Sequence, residues 1–154
     1  MKLTVLAVGT RMPGWVEAGI AEYSKRLPRE WKFELRELAA DRNRESAAKS
    51  MEREGARIRE AIPSRDRRVM LDVEGRSFST EQLARQLEQW QMTGDNFSLV
   101  IGGADGLEPT LLAEADLRWS LSPLTLPHPL VRVVLVEQLY RAWSINAGHP
   151  YHRS

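Results

Sequence analysis

A proline-rich loop that runs into a long apolar helix constrains this chain more than any other stretch. Residues 119–143 read WSLSPLTLPHPLVRVVLVEQLYRAW. Proline fixes its own φ angle and disfavours helical geometry in the residue before it, so Ser122, Leu126 and His128 are predicted to lie outside the helix. The backbone groups of residues 124–126 are therefore expected to form a preset arc.

The helix predicted over residues 130–145 is apolar across an unusually wide arc. At 100° per residue, Val136, Leu139, Tyr140 and Trp143 fall on one side of it, and further valines and leucines widen that side. Such a helix should be buried on more than one side. In a chain of this size the second burying surface is expected to be another copy of the protein, so we predict a homodimer with these four side chains at its interface.

Length and composition indicate one globular domain over residues 1–154. The chain has 42% hydrophobic and 28% charged residues, which is enough for one core. It has no cysteine, so disulfides and thiolate metal sites are excluded. No apolar run approaches the length of a signal peptide or a membrane span, so we expect a cytoplasmic protein that does not bind a membrane.

The net charge of +1 argues against a protein that coats nucleic acid indiscriminately. The charge is unevenly distributed: residues 1–70 carry 16 Lys and Arg against 11 Asp and Glu, whereas residues 71–154 carry 6 against 10. The basic half could face a polyanion. A chance asymmetry on a solvated surface explains the same numbers equally well.

Buried strands alternate with helices along the chain. Apolar runs predict buried strands at residues 3–8, 68–73 and 97–101, and weaker patterns predict strands at 33–37, with one face in water or near an edge, and at 119–121. Helices are predicted after Gly14 to about Leu27, over 46–62 as a peripheral helix with a thin apolar stripe, from the capping box of Ser79 and Gln82, and at Pro109. The fold class is therefore α/β, with a mostly parallel sheet covered by helices on both faces.

Three loops are expected to converge at the carboxyl edge of this sheet, where open α/β sheets bind ligands. They follow Leu71, include GGADG at residues 102–106, and span residues 122–129. GGADG matches neither common phosphate-binding pattern, and a turn that needs glycine only for its geometry is the simpler interpretation. A ligand with an adenine-like face and no phosphate would suit these loops better.

The motifs LVIGGADGL, SLSPLTLPHPLVRVVLVEQLYRAW and NAGHPYHRS closely resemble those of the RlmH family. These are SPOUT-class methyltransferases that modify pseudouridine in the RNA of the large ribosomal subunit, and the resemblance extends from KLTVLAVGTRMPGWV to the C-terminus. It implies S-adenosylmethionine as methyl donor, a homodimer, and methylation at N3 of a pseudouridine in 23S ribosomal RNA of the assembled ribosome. It also implies a C-terminal trefoil knot, which the sequence pattern alone does not indicate.

The resemblance also assigns cofactor contacts residue by residue. They would lie at the end of one strand, in the glycine loop and along the proline loop: Leu71, Gly103, Ser122, Pro123, Leu124, Thr125, Leu126 and Pro127. Backbone groups of the proline loop would bond the adenine edge while leucine side chains pack on its faces. Pro123 has no N–H, so a contact there must use its carbonyl or its ring.

The C-terminal tail HPYHRS combines groups that suit RNA, because aromatic rings stack on bases and guanidinium groups grip phosphate. We assign RNA binding to Arg141, Tyr151, His152 and Arg153, and a catalytic role to Arg153 and His152. A frayed terminus is the alternative. A metal site at His149 and His152 is not expected, because it lacks a third ligand.

Loss of the N3 proton leaves an anion that an arginine, Arg153 or Arg141, would stabilise. The base is left open among His152, His128, Glu137 and solvent, and a core or capping role is the simpler interpretation of His128. A non-catalytic ribosome-binding factor of the same fold is the alternative function.

Overall fold

The computed structural model describes residues 1–43 and 45–153, in which strands and helices alternate as the sequence predicts. In chain order the elements are β1 (Leu3–Val8), α1 (Gly14–Ser24), a short 3-10 helix (Arg29–Trp31), β2 (Glu34–Leu38), α2 (Ala47–Ala61), β3 (Arg67–Ser77), α3 (Thr80–Thr93), β4 (Phe97–Ile101), α4 (Pro109–Leu112), β5 (Leu117–Ser120) and α5 (His128–Asn146).

The five strands form one parallel sheet in the order β2-β1-β4-β3-β5. Strand β1 lies between β2 and β4, with Thr4 opposite Glu34 on one side and Ser98 on the other. Strands β1 and β4 are buried along their whole length, whereas β2 at the edge of the sheet is partly exposed. The predicted parallel sheet and the position of the weaker strand are therefore confirmed.

Helices cover both faces of the sheet. On β1, Leu3, Val5 and Ala7 point to one apolar cluster and Leu6 and Val8 to another, as the alternation of side chains in a strand requires. Helices α1, α3 and α5 pack over the first face, and α2 and α4 over the second. No helix in the described part of the chain is both long and apolar enough to span a membrane.

Helix α5 is buried within a single chain, which corrects the predicted interface. Val136 and Leu139 are 0% exposed and Tyr140 is 5% exposed, because the sheet, α1 and α3 all pack against this helix. Trp143 is partly buried in the same cluster and its ring stacks on Tyr140. The wide apolar arc therefore reflects three intrachain neighbours, and these side chains do not form an exposed patch for a second copy.

Several element boundaries also differ from the predictions. Helix α5 begins at His128, predicted outside it, because Pro129 falls in the first turn, where a backbone N–H has no helical partner. Strand β3 continues to Ser77, β5 starts and ends earlier than expected, and α1 ends at Ser24. The capping box of Ser79 and Gln82 is confirmed.

The apolar stripe predicted for α2 is wrong in part. Ala47 is exposed, and the buried face of the helix includes the polar residues Ser50 and Glu54. Their burial is explained by hydrogen bonds, because Ser50 donates to the buried carboxylate of Asp41 at 2.8 Å and Glu54 accepts from the Asp41 N–H at 2.9 Å.

Candidate active site

An open cleft lies at the carboxyl edge of the sheet, where β3, β4 and β5 end. The empty space within it, including its opening to solvent, is about 630 Å³. The loops after these three strands and the first turns of α5 line it, mostly with apolar side chains. Among the described residues of its lining, Asp72 and His128 are the ionisable ones, and none is Lys or Arg.

A bulge in β3 shapes one wall of this cleft. Trp119 of β5 is opposite both Leu71 and Arg76, so the intervening residues leave the ladder. Asp72, in the bulge, accepts two hydrogen bonds from Arg118 at 2.6 and 3.1 Å. Gly75 allows the close approach of the strands, because a Cβ atom there would lie 2.6 Å from the backbone of Arg118.

The glycine loop after β4 forms the second wall. Gly106 has a φ of +83° and donates to the carbonyl of Gly103 at 3.0 Å. A Cβ atom at Gly102 would lie 2.8 Å from the carbonyl carbon of Gly106. Backbone geometry therefore accounts for glycine at positions 102 and 106. This agrees with the simpler interpretation of GGADG as a turn that needs glycine for its geometry.

The proline loop between β5 and α5 forms the third wall. The hydroxyl of Ser120 donates to the carbonyl of Ser122 at 3.0 Å, and the N–H of Leu124 donates to the hydroxyl of Ser122 at 2.9 Å. These bonds hold the loop in a defined turn. The side chain of Leu124 is 71% exposed at the rim of the cleft, which leaves its apolar surface available to a ligand.

A fully buried arginine fixes the start of α5, which contributes to the lining of the cleft. Arg132 is 0% exposed and donates to the Glu37 carboxylate at 2.6 Å and to the Gly9 carbonyl at 2.9 Å. Its Nη2 atom also lies 3.4 Å from the carbonyl of Val8. This ion pair joins the first turns of α5 to the carboxyl ends of β1 and β2.

His128 connects this buried arginine to the cleft. It lines the cleft, and its Nδ1 atom is buried with no hydrogen-bond partner among the described residues. Burial, and secondarily the positive charge of Arg132, lower the pKa of His128 below its usual value. The imidazole is therefore neutral near pH 7 and presents an unsatisfied polar atom beside the cleft.

The C-terminal tail packs against the other end of α5. The ring of Tyr151 lies 4.6 Å from that of Tyr140, and its hydroxyl donates to Glu137 at 3.1 Å. Burial and the neighbouring Glu137 carboxylate raise the pKa of Tyr151 to about 12. The guanidinium of Arg141 stacks on the same ring at 4.7 Å and pairs with Glu137 at 2.9 Å.

His152 continues this network to a third helix. Its Nδ1 atom is 3.3 Å from Arg141, and its Nε2 atom is 3.1 Å from the carboxylate of Glu81 on α3. Arg153 is exposed. The tail is therefore anchored through Tyr151 and His152, which contradicts the alternative of a frayed terminus for these residues.

Comparison with known proteins gives the family. A family model described as "Predicted SPOUT methyltransferase" matches residues 1–152. The chain is 52% identical to ribosomal RNA large subunit methyltransferase H of Hahella chejuensis and 53% identical to the protein of that name from Thioalkalivibrio sulfidiphilus, in both cases over 99% of each chain. The chain belongs to the RlmH family of SPOUT methyltransferases.

A solved structure is similar at the level of the fold. The structure of a probable methylase family protein from Haemophilus influenzae has a TM-score of 0.59 and 11% identity, and the match covers 99% of this chain and 70% of that one. With the family model, this similarity identifies the parallel sheet described above as the SPOUT methyltransferase fold.

The cleft gathers most of the cofactor contacts that the RlmH resemblance implied. Six of the eight residues line it: Leu71, Gly103, Ser122, Leu124, Thr125 and Leu126. Pro123 and Pro127 are exposed and are not part of the lining, and Pro127 instead precedes α5 as its N-cap. Contact between these residues and a cofactor stays a prediction.

The predicted RNA-binding residues lie together, away from the cleft of the same chain. Arg141 is thirteen residues after His128 on α5, and a rise of about 1.5 Å per residue separates the two positions by about 20 Å along the helix. Arg141, Tyr151 and His152 form the tail cluster described above, and Arg153 follows it.

Sequence reasoning missed Arg132 and Glu37 as a pair and Asp72 as part of the cleft wall. Arg132 is flanked by Val131 and Val133 inside the apolar arc of α5, and this isolated charge was the available signal for burial with a partner. The partner lies 95 residues away in sequence, so only the fold identifies it.

Proposed function

We propose that this protein transfers a methyl group from S-adenosylmethionine to the RNA of the large ribosomal subunit. The curated relatives carry the name of a methyltransferase for that RNA and align over nearly the whole chain. The observation that carries the proposal is that six residues expected to hold the donor line one cleft. That cleft lies at the edge where open α/β sheets bind ligands.

The cleft suits a donor that has a flat aromatic face and no phosphate. Leu124 and Leu126 offer aliphatic surface for the two faces of an adenine, and backbone groups of their loop lie beside its edge. The donor supplies a methyl group that its sulfonium already activates. The residues of the cleft must then hold that group against the acceptor and exclude water.

The acceptor in this proposal is N3 of a pseudouridine in 23S ribosomal RNA on the assembled ribosome, in the cytoplasm. The N3–H lies between two carbonyls, so its loss leaves a delocalised anion that a guanidinium stabilises. Because the net charge is only +1, affinity for free RNA is expected to be low. A folded ribosomal surface supplies the additional contacts.

The tail is proposed to complete the cleft of a second chain. Arg153 and His152 lie near the end of α5 that is farther from the cleft of their own chain. They would therefore act on an acceptor that is bound next to the donor of the partner chain. The homodimer is therefore part of this proposal. Tyr151 and Arg141, which stack on each other, would contact the RNA beside the target. The trefoil knot of the family is likewise proposed for residues of the C-terminal half.

Two histidines are the proposed acceptors of the N3 proton. His128 would reach it from the cleft with a neutral imidazole, and His152 would reach it from the partner's tail after a ring nitrogen has left Arg141 or Glu81. Glu137 is a poorer candidate, because Arg141 and Tyr151 already occupy its carboxylate. The two histidines predict different pH–rate profiles for their variants.

Two measurements test the proposed function. Mass spectrometry of ribosomal RNA from cells that lack the gene should show the loss of one methylated pseudouridine, and an unchanged set would contradict the proposal. Calorimetry should show saturable binding of S-adenosylmethionine at one or fewer molecules per chain. Ribosome binding without cofactor binding would instead support the non-catalytic ribosome-binding factor.

A further inference from the structure

The carboxyl edge of the sheet continues past the cleft to the ends of β1 and β2. Strand β1 lies where the strand order reverses, with β2 on one side and β4 on the other, and this switch point is where open α/β sheets place ligands. The loop after β1 adjoins the cleft, because a Cβ atom on Gly9 would lie 3.6 Å from the ring of His128. A molecule that reaches over the rim of the cleft therefore meets this loop.

Two side chains, one in the β1–α1 connection and one in the first turn of α1, are exposed to solvent. Trp15 is 60% exposed, which is unusual for so large an aromatic residue. Arg11 is exposed, with a φ of +59° that an arginine adopts at a cost.

Two further arginines extend the positive charge along the same edge. Arg42 is exposed in the loop after β2, and Arg57 of α2 is exposed and donates to the carbonyl of Ala39 at 2.7 Å. We call Arg11, Trp15, Arg42 and Arg57 the edge patch.

Three carboxylates near the edge patch pair with two other arginines, which leaves one negative charge uncompensated. Glu37 pairs with Arg132, and Asp41 and Glu45 both pair with Arg53. Glu17 in the first turn of α1 is the exposed carboxylate nearest to Trp15 in sequence. The guanidinium groups of the patch therefore outnumber its free carboxylates.

We propose that the edge patch binds an unpaired segment of ribosomal RNA next to the nucleotide that enters the cleft. Trp15 stacks on an extruded base, and Arg11, Arg42 and Arg57 contact phosphates. This inference rests on the proposed function and names a surface of the substrate that the C-terminal tail does not contact. Arginines at the same edge as an exposed aromatic ring suit phosphates and an unstacked base.

The first experiment measures steady-state methylation of ribosomes by the full-length protein. Trp15→Ala should raise the KM for ribosomes at least about fivefold, as the loss of one base stack predicts. Trp15→Phe should keep the KM close to the wild-type value, because phenylalanine still offers a face for stacking. Affinity for S-adenosylmethionine, measured by calorimetry, should not change in either variant.

Matched controls come from the rest of the surface. Met92→Ala removes an 81% exposed apolar side chain of α3, and Arg65→Ala removes an exposed arginine at the opposite edge of the sheet. Both should leave the KM unchanged. Equal effects in Trp15→Ala and Met92→Ala would overturn the inference.

Salt dependence tests the phosphate contacts separately. In Arg11→Ala/Arg42→Ala, the slope of log affinity against log salt should fall by about 1 to 2, whereas Arg65→Ala should keep the wild-type slope. An unchanged slope in the double variant would exclude these contacts.

A photo-reactive amino acid at position 15 identifies the partner. Crosslinks to ribosomal RNA are expected, and crosslinks only to ribosomal protein would overturn the assignment to RNA. If the wild-type protein methylates ribosomes and Trp15→Ala does so with the same KM, only the edge patch is refuted. If the wild-type protein binds no cofactor and methylates nothing, the proposed function itself fails.

Discussion

Helix α5 carries one arginine–glutamate pair at each end, and the two pairs differ in almost every physical respect. Arg132 is fully buried and pairs with Glu37 on an edge strand, 95 residues away in sequence. Arg141 is 26% exposed and pairs with Glu137 one turn away on the same helix. The first pair connects separate elements beneath the cleft, whereas the second orders a local surface on which the tail packs.

The two ends of α5 therefore have different roles in the proposed reaction. A buried arginine that loses its partner cannot be solvated, so the cleft end of α5 is held rigidly to β1 and β2. At the tail end, water competes for both charged groups, and the pair contributes little to folding. The tail can therefore exchange its contacts for RNA without destabilising the domain.

The largest effect is expected from Arg132→Met. The substitution leaves Glu37 without its cation and the carbonyl of Gly9 without its donor, so the free energy of unfolding should fall by about 3–5 kcal/mol. Urea unfolding followed by circular dichroism measures it. A loss below about 1 kcal/mol would show that the buried pair stabilises the fold no more than the pair at the tail end does.

The second prediction concerns the tail in catalysis. Arg153→Ala should lower methyl transfer to ribosomes by roughly a hundredfold, as the loss of an oxyanion donor does, while the affinity for S-adenosylmethionine stays near the wild-type value. Truncation after Pro150 should abolish transfer and leave donor binding nearly intact. Loss of donor binding in the truncated protein would place the tail in the donor pocket instead.

The third prediction concerns the protonation of His128 at the cleft end. Its pKa is lowered in the folded protein, so the unfolded chain binds the proton more readily, and the associated stability is fully present above about pH 6.5 and is lost as the pH falls through the lower folded pKa. His128→Asn should flatten this acid dependence in thermal unfolding. An NMR titration of Arg132→Met should show the pKa of His128 moving upward while staying below its usual value, because burial remains.

The smallest effect is expected from Arg141→Met at the tail end. This i, i+4 pair and its cation–π contact are only partly buried, and water still reaches the charged groups, so the free energy of unfolding should fall by about 1 kcal/mol. The same urea assay measures it beside Arg132→Met. A loss as large as that of the buried pair would mean that the tail is integral to the fold.

The order and kind of the elements followed from local patterns, because buried strands and capped helices are coded by neighbouring residues. The runs LTVLAV and FSLVI became the central strands, and Ser79 with Gln82 began α3. The loops of the cleft were predictable for a related reason: proline and glycine restrict or release the backbone where they occur.

Features that depend on distant neighbours did not follow from the sequence. The apolar arc of α5 predicted a second chain, whereas α1 and α3 bury Leu139 within one chain. The bulge that brings Asp72 to the cleft depends on the approach of β5 to Gly75, and that glycine within β3 was the local signal for it. Glu54 lies in the charge-dense stretch of α2, yet it is buried and accepts a hydrogen bond from the Asp41 N–H, a partner thirteen residues away.

The position of β1 inside the sheet, between β2 and β4, has a consequence for synthesis of the chain. Leu3 of β1 pairs with Phe97 of β4, so the inner edge of the first strand stays unpaired until more than ninety further residues have been made. At about 5–20 residues per second, this interval lasts roughly 5–20 s. During that time an apolar strand, destined for burial on both faces, is open to misfolding and to chaperones. Slowing translation after residue 38 should therefore lower the yield of folded protein more than slowing it after residue 101.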